Sequence, residues 1–194
     1  FSITWKDLNQ QLLDAPSFGS QLNRSGYASD ILENLIKADD TDQAKMDKVY
    51  ELVRKRMKWN GQHRVFATTM VRAAYKDRIG SSSDINLMLV ALLREAGLEA
   101  YPVLVSTRKN GLVTMTRPTI EQFNYVIGAA KIGENLILLD ATDPYSIPGI
   151  LPERCLNLQG RLVNKEEGEW ISLIPANTRY RMVAYDINIS LEGT

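Results

Sequence analysis

Between Asp84 and Ala96 the chain is apolar on nearly every side, with Leu87, Met88, Leu89, Val90, Ala91, Leu92 and Leu93 in unbroken succession. A helix with one apolar stripe sits at a surface; one that is apolar all round has to be enclosed. The run is far short of the roughly 18 residues that a membrane-spanning helix needs, so the rest of the chain must wrap it. Gly97 is its natural stop. Directly before it stands "IGSSSDIN", residues 79–86. Ser81, Ser82 or Ser83 can cap such a helix. The same place, at the positive end of the helix dipole, also suits an anionic nucleophile or an oxyanion.

What precedes this segment reads as helices. Thr4, with Asp7 three residues on, opens a helix over Trp5 to Leu13 that Pro16 and Gly19 close. A short helix follows from about Ser29 through Ile36. Thr41 caps a third, with Met46, Val49, Tyr50, Val53 and Met57 on one face and Lys45, Lys48, Glu51, Arg54 and Lys55 on the other, a solvated face. A fourth spans about Thr68 to Asp77, and Gly80 is expected to break it.

After Gly97 the apolar period changes to alternation. Tyr101 to Thr107 and Leu112 to Thr116 flank Arg108-Lys109-Asn110-Gly111, which reads as a hairpin, with Pro102 suited to the beginning or an edge of its strand. Phe123 to Ile132 and Leu136 to Asp140 read as a second hairpin, and Arg161 to Asn164 with Trp170 to Ile174 as a third. Helices followed by strands predict an α+β fold, a helical N-terminal half with its central buried helix packed on a mainly antiparallel β-sheet. Residues 1–176 form the expected domain. Residues 177–194, where Arg179 to Leu191 alternates again, are read as a C-terminal strand segment that starts a following β domain.

Charge and composition narrow the function. Lys plus Arg and Asp plus Glu both number 23, which leaves no electrostatic footprint for nucleic acid or an anionic membrane. The single Cys155 permits no internal disulfide, and with only His63 beside it no Cys/His zinc site. No metal and no cofactor are called for. Phe1 opens the chain without a basic-then-apolar leader, so an export signal would lie outside this sequence.

Two later segments bear on the serines. "EQFNYVI" sets Asn124-Tyr125 into an apolar strand, and "LILLDATDPY" ends an apolar strand on Asp140. Taken alone, Asp140 is a turn starter continued by Asp143-Pro144. In combination, "GSSSDINLMLVALLREAGLEAYPVLVSTR", "FNYVI" and "LLDATD", with "MDKVYELVRKRMKWNG" upstream, resemble the bacterial transglutaminase-like domains of the papain-type cysteine-protease superfamily. The resemblance runs from about Trp5 to Leu173 and is strongest from Gly80 to Asp143. It implies the transglutaminase/papain-like fold and a Cys, His, Asp triad. By position, Ser82 stands for the nucleophilic Cys, Tyr125 for the His, and Asp140 for the Asp. Asp84 and Asn124, beside these positions, are the candidate ligand-binding residues.

Two of the three triad positions thus differ from the family's pattern. A thiol, with an ordinary pKa near ~8.5, can be driven to thiolate by a helix N-terminus and an imidazolium, whereas a serine needs a general base. Tyr125, protonated below pH ~10, is a poor base and lacks a second ring nitrogen for Asp140 to orient. The nearest basic residue in sequence is Lys131. His63, in the turn-like "NGQHR", reads as a surface histidine that no spacing brings to Tyr125, and Cys155 in "LPERCLN" as a packed, inert thiol.

The expectation is a catalytically degenerate transglutaminase-like domain, a scaffold or a peptide- or glycan-binding module of a larger bacterial protein. Its partner would be such a ligand or a neighbouring domain, and its location extracytoplasmic, in the periplasm or at the cell surface. The alternatives are an active hydrolase or acyl-transfer enzyme using Ser82 with Tyr125 or His63 as an unusual base, and a structural spacer without a ligand.

Overall fold

The computed structural model describes residues 3–175; the C-terminal segment 177–194 lies outside them. Helices α1 (Trp5–Asp14), α2 (Ser29–Leu35) and α3 (Asp42–Arg56) come first. Strand β1 (Lys58–Trp59), helix α4 (Val71–Asp77), strand β2 (Ile79–Gly80) and helix α5 (Ser82–Glu95) follow. The second half supplies β3 (Ala100–Val105), β4 (Tyr125–Ile132), β5 (Asn135–Leu139), β6 (Gln159–Leu162) and β7 (Glu169–Ser172). These five form an antiparallel sheet in the order β5-β4-β3-β6-β7. The architecture is α+β, with α5 packed on β3 and β4 on one side and on α3 and α4 on another, while α1 meets the sheet directly where Trp5 lies against Trp170.

The ends of α5 explain its position. Ser81 is the N-cap, and its side chain exchanges hydrogen bonds with Asp84 in a capping box. At the other end Gly97, at φ 84°, lets the amides of Gly97 and Leu98 reach the carbonyls of Arg94 and Leu93, a Schellman stop. Every residue from Ser82 to Leu93 is buried. Gly80 does not merely break a helix. It pairs in parallel with Trp59, and a Cβ there would come within 2.7 Å of the Asp84 Cβ. Only glycine lets the β2 backbone lie against the capping box.

Two sequence expectations fail. No hairpin spans Tyr101 to Thr116. Both edges of β3 are taken by β4 and β6, so Leu112 to Thr116 has no strand to pair with. Side-chain amides hold this loop instead: Asn157 donates to the Ser106 and Gly111 carbonyls, and Gln122 bonds the Thr114 amide and the Arg117 carbonyl. Helix α4 starts at Val71, not Thr68, because its N-cap Met70 stands at φ 60° and ψ 139°, outside the helical region, while the Thr68 and Thr69 amides turn to the Asp84 carboxylate. Pro102 falls near the start of β3, which is a central strand.

Candidate functional site

Asp140 follows the end of β5 and Tyr125 begins β4, and the pairing of these strands brings the two together. The Tyr125 hydroxyl donates to Asp140 Oδ2 at 2.9 Å. Asn86, one turn into α5, donates to Asp140 Oδ1 at 3.0 Å and accepts from the Ala141 amide. Thr142 adds its amide and hydroxyl to Oδ1, at 3.0 and 2.8 Å. The carboxylate is therefore ringed by donors, as a buried charge requires.

Its counter-charge is Arg154, carried by a 3-10 turn (Glu153–Cys155). One terminal nitrogen lies 3.3 Å from Asp140 Oδ2 and 2.6 Å from Thr142 Oγ1, while Nε lies 3.3 Å from the Tyr125 hydroxyl. The guanidinium also stands 4.6 Å over the Trp59 ring. Burial alone would lower its pKa; Tyr125 and Asp140 outweigh burial and raise it. The basic residue near Tyr125 is thus Arg154. Lys131 sits at the far end of β4, beside Glu99.

Burial, then the Asp140 charge, pushes the Tyr125 hydroxyl well above its ordinary value. Tyr125 is a hydrogen-bond donor here and no base. Cys155 is fully buried with Sγ 3.8 Å from Asp140 Oδ2, and burial followed by the same carboxylate pushes its thiol up as well.

Ser82 lies at the first turn of α5, wholly buried. Its hydroxyl donates to the Arg64 carbonyl at 3.0 Å and accepts from the Arg64 amide at 2.9 Å, and its own amide donates to the Gln62 carbonyl. The 62–64 turn is therefore strapped across the helix start. No hydrogen bond joins Ser82 to Tyr125 or Asp140.

That strap carries His63, and here the sequence reading is corrected. His63 is half-buried, its ring 5.2 Å from that of Tyr125 and stacked on Trp59 at 5.5 Å. The β1–β2 pairing and the Ser82 bonds fold the turn back over the sheet, a contact that no local spacing encodes. Burial, then Arg154, lowers its pKa below the ordinary histidine value.

Asp84 and Asn124 are engaged within the protein. Asp84 accepts from Ser81, Thr68 and Thr69, and Asn124 pairs with the Thr107 amide and hydroxyl. Sequence reasoning passed over Asn86, Thr142 and Arg154. Asn86 carried a signal, as a lone amide in an apolar helix four residues after Ser82; Arg154 carried none.

Among the described residues no helix is long and apolar enough to cross a membrane. No curated protein matches the chain significantly. Two solved structures are similar. One is a "putative protease" from Parabacteroides distasonis, with a TM-score of 0.61 and 12% identity over 90% of this chain and 32% of that one. The other is a "putative cysteine protease" from Cytophaga hutchinsonii, with a TM-score of 0.48 and 15% identity over 86% of this chain and 56% of that one. The chain thus spans about a third of the length of the Parabacteroides protein, and at this identity the likeness shows the fold alone. The model of the transglutaminase-like superfamily matches residues 29–127, a stretch that includes Ser82 and Tyr125 and ends before Asp140. With just over half of its length matched, the chain belongs to the transglutaminase-like superfamily.

Proposed function

We propose that this is a catalytically degenerate transglutaminase-like domain, serving as a scaffold or a peptide- or glycan-binding module of a larger bacterial protein outside the cytoplasm. The observation that carries the reading is the state of Ser82. Its hydroxyl is buried, and both its donor and acceptor functions are taken by the Arg64 backbone. A serine nucleophile needs a base within hydrogen-bond reach. Tyr125 holds its proton on Asp140, where an imidazole could otherwise sit. The greater length of the Parabacteroides chain supports a place in a larger protein.

One observation favours an active hydrolase, in line with the "putative protease" description of that neighbour: the His63 ring lies beside Tyr125, with its pKa held below the ordinary value by burial. In that reading the Ser82 hydroxyl exchanges its Arg64 backbone partners for the His63 imidazole, which takes its proton. The test is a fluorophosphonate probe followed by mass spectrometry. The binding-module reading expects Ser82 unmodified and Cys155 alkylated only slowly by iodoacetamide; stoichiometric labelling of Ser82 would establish the hydrolase instead.

A further inference from the structure

We propose that the half-buried Trp59, His63 and Arg154 receive a carboxylate group of the ligand; this rests on the binding-module reading and names the chemistry such a ligand must carry. Arg154 spends Nε and one terminal nitrogen on Tyr125, Asp140 and Thr142. Among the described residues its other terminal nitrogen, Nη1, has no hydrogen-bond acceptor and is open to solvent, although only 24% of the side chain is exposed. The three bonds on the inner side fix the fork, so this outward donor pair is already oriented.

His63 is the second donor. Neither ring nitrogen has a partner among the described residues, and neither is sealed from solvent. Trp59 holds both groups, with the imidazole stacked on its ring and the guanidinium over it. The charge balance suits an anion. Beyond the effect of burial, at the imidazole Arg154 lowers the pKa more than Asp140 raises it, exposed Lys109 lowers it a little further, and Glu153 is paired with Arg108. An oriented Arg fork beside a planar aromatic wall matches the flat, two-oxygen geometry of a carboxylate.

The test titrates the 194-residue chain with N-acetylglycine, N-acetylglycinamide and glucuronate at constant ionic strength, following the Trp59 indole and His63 ring signals by NMR. A carboxylate should give saturable shifts in the millimolar range and raise the His63 pKa, while the amide gives neither. Saturation by N-acetylglycine assigns a peptide-type acid, and by glucuronate a sugar acid. Arg154→Gln should weaken binding at least tenfold. His63→Phe keeps the stack, leaves the Asp140 contacts intact and should weaken it severalfold, so the outcome does not hang on whether the Arg154 variant folds. Equal shifts from the amide or from sulfate, or undiminished binding in His63→Phe, would overturn the proposal. Ser82 labelling in the same sample reads the functional proposal separately: a chain that labels at Ser82 yet binds carboxylates keeps this site and loses that reading.

Discussion

Asp84 collects its hydrogen bonds from neutral groups near the start of α5, namely Ser81, three residues away, and the Thr68–Thr69 turn. Asp140, equally buried, is served by Asn86 of α5, Tyr125 of β4, its own turn through Thr142, and Arg154 of a distant 3-10 turn. The first arrangement anchors a helix end and includes no cation. The second joins four segments and includes one. The comparison separates a carboxylate that shapes the fold locally from one that ties four segments together, with Tyr125 supplying a hydrogen bond and Arg154 the counter-charge.

The largest expected effect is that of Asp140→Ala. It orphans the inward face of Arg154 and the donors of Asn86 and Thr142 together, and breaking a buried ion pair by removing one partner costs about 3–5 kcal/mol. Urea denaturation at pH 7 measures this. Asp84→Ala, which removes the capping box and strands the Ser81 and Thr68 amides, should cost about 2–3 kcal/mol in the same assay. Reversal of that order would mean that the local anchor, not the long-range network, dominates. Thr68→Val removes one hydroxyl donor from Asp84 at an exposed position, with an expected loss of about 1 kcal/mol.

Acid separates the two regions further. Burial works against the Asp84 carboxylate, yet the Thr68 and Ser81 hydrogen bonds hold its pKa below the ordinary carboxylate value. Its contribution is therefore complete above the unfolded value near ~3.9 and is lost as pH falls through the folded one. At the other site the sensitive group is His63, whose folded pKa lies below the ordinary 6.5. The fold favours its neutral form, so this contribution is present above pH ~6.5 and fades as pH falls through the depressed value. Two-dimensional NMR should place the His63 titration below that of an exposed histidine, and Arg154→Gln should move it upward. A midpoint unchanged by Arg154→Gln would mean that the guanidinium and imidazole do not feel each other.

The legible parts of this protein are those in which the partners lie close in sequence. The all-round apolar run of α5, its cap within Ser81–Ser83, the capping pair Thr4 with Asp7, the Gly97 stop and the two later hairpins could all be read from spacing, because periodicity and capping act over three to seven residues. The supposed hairpin after Tyr101 failed for a non-local reason: β3 finds its neighbours in β4 and β6, and a locally plausible turn cannot compete with two strands that bury both of its edges. The same holds for the site. The family resemblance pointed to Ser82, Tyr125 and Asp140, yet only the folded sheet decides that Arg154, fourteen residues beyond Asp140, supplies its counter-charge, and that His63 lies against Tyr125. Charge pairing and ring stacking act through space over a few ångströms. Which distant residues come within that range depends on strand order and on the β1–β2 contact, which no short stretch of sequence specifies.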